Sequence, residues 1–261
     1  MTVTTPLIEA QGLAIGYAGR VIARDIDVSV RTGEVVCLLG PNGSGKTTLF
    51  KTLLGLLGPL AGSVAVAGRP LKGLTRQQLA RSVAYVPQAH VSVFPYHVLD
   101  MVLMGRTAHL GLFSAPSEVD RERAASALEV LGIEDLADRE YTRISGGQRQ
   151  LALIARALAQ DAPAIIMDEP TASLDFGNQA LVLREVSRLA QRGLGIVLST
   201  HDPDHAFAVA TRVLLLHESH VVADGSPREV LTHRQLEAVY NVPVTIETLP
   251  GGRITCVPTL S

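Results

Sequence analysis

The chain is poor in cysteine, in long apolar runs and in any excess of one charge. Only Cys37 and Cys256 occur in 261 residues. One lies in a strand-like run and the other near the end, so they build neither a disulfide framework nor a cysteine metal cluster, and both thiols are expected to be reduced. The longest uninterrupted apolar runs, such as Val35 to Leu39, fall far short of the roughly 20 residues that cross a bilayer. Basic and acidic residues nearly balance, 23 against 25, for a net charge of -2. No basic field exists to hold nucleic acid or anionic lipid without a specific site, so any membrane contact must run through another protein. The opening residues Met1 to Pro6 lack the basic start and apolar stretch of a signal peptide, which gives the expectation of a cytoplasmic chain. Internal repeats, coiled-coil heptads and low-complexity tracts are missing as well.

What is present is enough apolar material, 47% of the residues, for a sizeable buried core. Residues 6–40 read as short strands, with Val28-Ser29-Val30 and Glu34 to Leu39 separated by the turn signal Arg31-Thr32-Gly33. The run from Thr47 to Leu54 has helical spacing and stops in the glycine and proline punctuation between Gly55 and Gly62. From about Val91 to Gln160 helix-like stretches replace strands, and Ser117 stands as a cap before a segment with Leu128 and Leu131 at helical spacing. Unalternating apolar runs return at Ala164 to Met167 and Gly195 to Ser199, as parallel strands buried on both faces require. The pattern predicts an α/β core interrupted by a helical insertion. The Pro-, Gly- and Thr-rich last 25 or so residues read as a short appendage whose order the sequence does not decide.

Gly40-Pro41-Asn42-Gly43-Ser44-Gly45-Lys46-Thr47 matches the phosphate-loop pattern G-x-x-x-x-G-K-[ST], with an apolar strand before it and a helix after it. Glycines let backbone N–H groups point into one concavity, and the helix start adds partial positive charge. Lys46 then reaches the outer phosphates and Thr47 can ligate Mg²⁺. Asp168 and Glu169 end the strand-like run Ala164 to Met167, at the edge where open α/β sheets bind ligands. Asp168 suits a Mg²⁺ site and Glu169 a general base for an attacking water; in isolation the pair also reads as solvated acids opening a loop. Ser145-Gly146-Gly147-Gln148 precedes a helix-like run, so a hydroxyl and glycine amides can receive an anion there; read alone, it is a helix cap with a turn. His201 ends another buried strand and can contact a terminal phosphate, or merely cap the segment opening at Asp202-Pro203. Gln88, after Val83 to Pro87, opens the insertion as a polar hinge able to meet metal or water.

With Lys46, Ser145 to Gln148, Asp168, Glu169 and His201 in this order, nearly the whole chain resembles the nucleotide-binding subunit of ATP-binding-cassette transporters. The resemblance implies a P-loop NTPase core, RecA-like, with a mostly parallel sheet and an antiparallel β subdomain, plus an inserted helical subdomain. On that pattern residues 6–91 and 162–235 form the nucleotide-binding core, 92–161 the helical signature subdomain and 236–261 a C-terminal appendage, all within one domain of that family. It implies ATP and Mg²⁺ as ligands, ATP held by the loop from Gly40 through Thr48, and Mg²⁺ held by Thr47, Gln88 and Asp168. Glu169, His201, Gln88 and Lys46 become the catalytic group. Tyr17 becomes the aromatic stacked on adenine, although between Gly16 and Ala18 it also reads as a surface turn residue. Ser173-Leu174-Asp175 becomes a loop communicating across a head-to-tail dimer, in which Ser145 to Gln148 of one copy closes over the phosphate loop of the other.

The stretch from Phe94 to Arg106 is similar to importers of iron-siderophore, haem and cobalamin complexes, a group that includes molybdate-type members. Its Pro-flanked aromatics suit either a groove for a permease helix or, for Phe94 and Val98, the apolar core. The implied partners are a second copy, a polytopic membrane permease and, indirectly, a substrate-binding protein. The implied place is the cytoplasmic side of the inner membrane, bound through the permease. Soluble cassette ATPases of DNA maintenance are the competing class, but they insert long coiled coils or zinc modules that this sequence lacks.

Overall fold

The computed structural model describes residues 5–88, 94–111, 114–172 and 174–259. In chain order the first part carries β1 (Ile8–Tyr17), β2 (Arg20–Val30), β3 (Val35–Leu39), α1 (Lys46–Leu53), β4 (Ala61–Val66), β5 (Arg69–Pro70), α2 (Arg76–Ala80) and β6 (Val83–Val86). Helices α3 (Val98–Leu103), α4 (Glu118–Val130) and α5 (Gly146–Ala159) follow. The chain then alternates through β7 (Ala164–Met167), α6 (Phe176–Gln191), β8 (Gly195–Thr200), α7 (Pro203–Val209) and β9 (Arg212–His217). It closes with β10 (His220–Gly225), α8 (Pro227–Val230), α9 (His233–Tyr240), β11 (Val244–Thr248) and β12 (Ile254–Pro258).

The central sheet runs β10-β9-β3-β8-β7-β6, with every neighbouring pair parallel except the β9–β10 edge. Its strands are apolar without alternation because both faces are covered. In β3, Val35, Cys37 and Leu39 enter one core while Val36 and Leu38 enter the other. The same period-two division runs through β7, where Ile165 and Met167 oppose Ala164 and Ile166. The first core is shared with α3, α4, α5 and α6, the second with α1 and an antiparallel sheet ordered β2-β1-β4-β5. The strands expected over 6–40 are longer than their sequence pieces. β1 and β2 pair along most of their length, with irregularities at Ala10, Leu13 and Ile15 that bend the sheet.

Between β6 and β7 the described residues form helices and no strand beyond an isolated bridge of His97 with Glu140. Helix α4 starts as expected at Ser117, whose hydroxyl caps Asp120 while the Asp120 carboxylate accepts from the Ser117 N–H at 3.0 Å. Leu128 and Leu131 are buried. Val98 belongs to the core, whereas Phe94 is 62% exposed, so the two residues part company.

The boundary expected at 235/236 runs through α9, a helix capped by Thr232. Leu236, Val239 and Val244 are buried in the first core, and β11 and β12 form a hairpin in register from Val244–Pro258 to Thr248–Ile254. The tail is therefore an integral part of the α/β unit. The composition obscures this because its few apolar residues are spread over one helix face and two short strands. The boundary expected at 91/92 lies outside the described residues.

Candidate active site

Four strand ends and one helix start define the site. β3 delivers Gly40 to Lys46, β6 delivers Gln88, β7 delivers Asp168 and Glu169, and β8 delivers His201, all at the carboxyl edge of the sheet. The loop turns into α1 at Gly45, which caps the helix in the left-handed region at φ 104° with no side-chain cap. A Cβ there would be strained and would lie 3.0 Å from the Ile22 Cγ2. The first intrahelical hydrogen bond runs from the Leu49 N–H to the Gly45 carbonyl at 2.8 Å, so the N–H groups of the first turn, at Lys46, Thr47 and Thr48, point outward from the helix start. The Ser44 hydroxyl is buried without a hydrogen-bond partner. A buried orphan hydroxyl beside open N–H donors and a cation is the donor set of a phosphate cradle, so the residues fit a nucleotide triphosphate.

Lys46 is only 6% exposed. Its ammonium donates to the carbonyls of Gly40 at 2.7 Å and Pro41 at 3.1 Å and lies 3.8 Å from Glu169 Oε1. Burial pulls its pKa below the ordinary lysine value, while Glu169 and Asp168 oppose that pull. Glu169 gathers the rest. Gln88 Nε2 donates to its Oε2 at 3.0 Å and His201 Nδ1 stands 3.5 Å from the same oxygen. Its backbone sits at φ 44°, outside the range a glutamate adopts without strain, at an expense of about 1–3 kcal/mol. The carboxylate faces Lys46, Gln88 and His201.

Asp168 is almost fully buried and accepts a hydrogen bond from Ser199 Oγ at 2.7 Å. Ser199 Oγ in turn accepts the Glu169 N–H at 2.9 Å, so one hydroxyl fixes both carboxylate residues. Sequence reasoning passed over Ser199 as part of a strand. Its signal was register: Met167 pairs with Leu198, which sets Ser199 beside Asp168. Behind them, a buried His205 takes hydrogen-bond contacts at 3.2 Å from the hydroxyls of Thr171 and Thr200, and burial lowers its pKa. Buried Asp168, the Thr47 hydroxyl and the Gln88 amide are all oxygen donors, and so fit a hard divalent cation that takes its remaining ligands from phosphate and water.

Ser145 to Gln148 opens α5 with a closed capping box: the Gln148 N–H donates to Ser145 Oγ at 3.2 Å and the Ser145 N–H to Gln148 Oε1 at 3.0 Å. Gly147 is required there, since a Cβ would fall 2.1 Å from Asn178 Oδ1 on α6. Among the described residues no hydrogen bond or ion pair joins this segment, or the half-exposed Tyr17 at the tip of the β1–β2 hairpin, to the Lys46–Glu169 group. Ser173 lies outside the described residues. Leu174 packs at the edge of the first core and Asp175 caps α6.

The model of the ABC transporter family matches residues 23–172. This chain belongs to the ABC transporter family. It is an ATP-hydrolysing translocase subunit, with the α/β ATPase fold of mixed, mostly parallel sheet and antiparallel β subdomain. An uncharacterized ABC transporter ATP-binding protein of Haemophilus influenzae is 44% identical over 90% of this chain and 89% of its own length. A protein of Helicobacter pylori named a probable iron chelatin transport ATP-binding protein is 36% identical over 91% of this chain and 94% of its own. Among solved structures, an inward-facing ABC transporter assigned to the metal-chelate type superposes at a TM-score of 0.88, with 34% identity and 98% of both chains covered. Among the described residues no helix is long and apolar enough to cross a membrane.

Proposed function

We propose that this ABC subunit hydrolyses ATP at the Lys46–Glu169 cluster to drive a permease that imports a metal complex of the iron(III)-siderophore, haem or cobalamin class. The observation that carries the site is the convergence of Lys46, Gln88 and His201 on one strained carboxylate, Glu169. The loop from Gly40 to Thr48 holds the phosphates through its N–H groups, the Ser44 hydroxyl and Lys46, and Tyr17 stacks on adenine. Thr47, Gln88 and Asp168 would hold Mg²⁺, which when bound withdraws charge from the outer phosphates. Glu169 takes a proton from water as its oxygen bonds to the terminal phosphorus and the bond to the ADP oxygen breaks, while His201 contacts the departing phosphoryl oxygens.

Ser145 to Gln148 serve the ATP of a second copy, arranged head to tail. The support is that, among the described residues, no hydrogen bond or ion pair joins them to the cluster of their own chain. The permease contact falls in a cleft of about 970 Å³ where Leu54, Leu56 and Leu71 face Met104, Gly105 and Arg156 of the helical segment. The subunit thus works at the cytoplasmic face of the membrane, held there by the permease, with a substrate-binding protein acting on the far side and no role for nucleic acid. The cargo class rests on kinship with the iron chelatin relative and the metal-chelate type structure.

The test is Glu169→Gln in the purified chain. Turnover is expected to fall by roughly 10² to 10⁴, with ATP binding retained and an ATP-dependent dimer accumulating in size-exclusion chromatography. Hydrolysis at the wild-type rate would remove Glu169 from the base role.

A further inference from the structure

His201 reaches Glu169 from a loop with little to hold it. Its side chain is 56% exposed. Its backbone, however, is tied to the C-terminal part of the chain. Tyr240, the last residue of α9, donates its hydroxyl to the His201 carbonyl at 3.0 Å. Three residues on, Asp204 in the first turn of α7 is gripped by β12: the Thr255 hydroxyl and the Cys256 N–H both donate to its carboxylate, each at 2.7 Å. Asp202 between them closes the start of α7 by accepting the Asp204 N–H at 2.8 Å. The segment 201–204 is therefore fastened at one end to α9 and at the other to the hairpin.

The fastening is rigid because its far side is core. Leu236 and Val239 of α9 and Val244 of β11 are buried with Met167 and Leu198, the residues of β7 and β8 that carry Asp168 and Ser199. Burial also raises the pKa of the Tyr240 phenol well above its ordinary value, which keeps it protonated and a donor. We infer that residues 233–258 form a brace that sets the position of His201 for hydrolysis, with Tyr240 and Asp204 as its positioning residues. The brace acts through His201 and so rests on the reading of His201 as a contact to the terminal phosphate. It gives the C-terminal segment a role in turnover and none in nucleotide affinity.

The test is a double-mutant cycle on ATP hydrolysis by the full chain. Tyr240→Phe removes one hydroxyl and keeps the ring, and is expected to lower kcat about fivefold, the worth of a single hydrogen bond, with KM for ATP unchanged. Asp204→Ala, which releases β12, is expected to lower kcat in the same sense. In a His201→Ala background both substitutions are expected to have no further effect. Additive losses in that background, or a Tyr240→Phe protein with full kcat, would overturn the brace. A His201→Ala protein with wild-type kcat would overturn the role of His201 and the brace together, a pattern distinct from additivity. Thermal melting of each variant separates loss of position from loss of fold, and a Tyr240→Phe loss that tracks a lowered melting temperature and a raised KM counts against positioning.

Discussion

Two helix starts in this chain carry glycine-rich, anion-receiving sequences, and they are built in opposite ways. α1 opens on Gly45 in a left-handed conformation with no side-chain cap, so among the described residues its first-turn N–H groups and the Ser44 hydroxyl have no hydrogen-bond partner. α5 opens on Ser145 with its capping box closed by Gln148. An open helix start stabilises a bound anion at the expense of the empty protein, while a self-capped one stabilises the helix and keeps its shape whether or not an anion is near. The first suits binding; the second suits a surface presented in fixed form to another molecule, as proposed above.

The comparison breaks most visibly at Lys46. Lys46→Ala is expected to weaken ATP binding to the isolated chain about a hundredfold, the loss of a buried cation proposed to donate to phosphate; isothermal titration measures it, and affinity within a factor of two or so of wild type would contradict the open-start reading. Ser145→Ala separates the two starts. Binding of ATP to the isolated chain is expected to stay the same while turnover falls about tenfold, as the proposed head-to-tail pairing requires of a hydroxyl that serves the nucleotide of the partner copy. A parallel loss of affinity in dilute monomer would place Ser145 at its own chain's site instead.

The smallest effect concerns the self-capped helices as a class. At the start of α4, hydrogen bonds from the Ser117 hydroxyl and N–H, and then from Arg106, depress the Asp120 pKa from 3.8 to about 2. A carboxylate so depressed contributes stability above its ordinary pKa and loses it as pH falls from about 3.8 through about 2. The wild-type melting temperature is therefore expected to drop more steeply over that window than that of Asp120→Asn, and equal slopes would show that the cap does not feel ionisation.

Much of the fold was legible because its cues are local. The unalternating strands at 35–39, 164–167 and 195–200 announce a sheet covered on both faces, and Ser117 announces the start of α4. The antiparallel sheet came by resemblance, since β1 is bent by irregularities that blur its alternation. In the candidate site, Lys46, Gln88, Asp168, Glu169 and His201 were all named from sequence, and the structure brings Lys46, Gln88 and His201 to Glu169. Ser199 was not named, because a serine closing an apolar strand carries no signal until the register with β7 is known. The order of the tail was not legible for a related reason: its contacts, Tyr240 to His201 and β12 to Asp204, span 39 to 52 residues of chain.

By itself the sequence determined which residues can cradle phosphate, which strands are buried and which helices cap themselves, because these depend on side-chain chemistry within a few positions. Only the tertiary structure decided which carboxylate faces Lys46 and His201, that Ser199 joins the acidic pair, and that the C-terminal hairpin reaches back to the His201 loop. Those outcomes depend on strand order and register, which juxtapose groups that no local pattern relates.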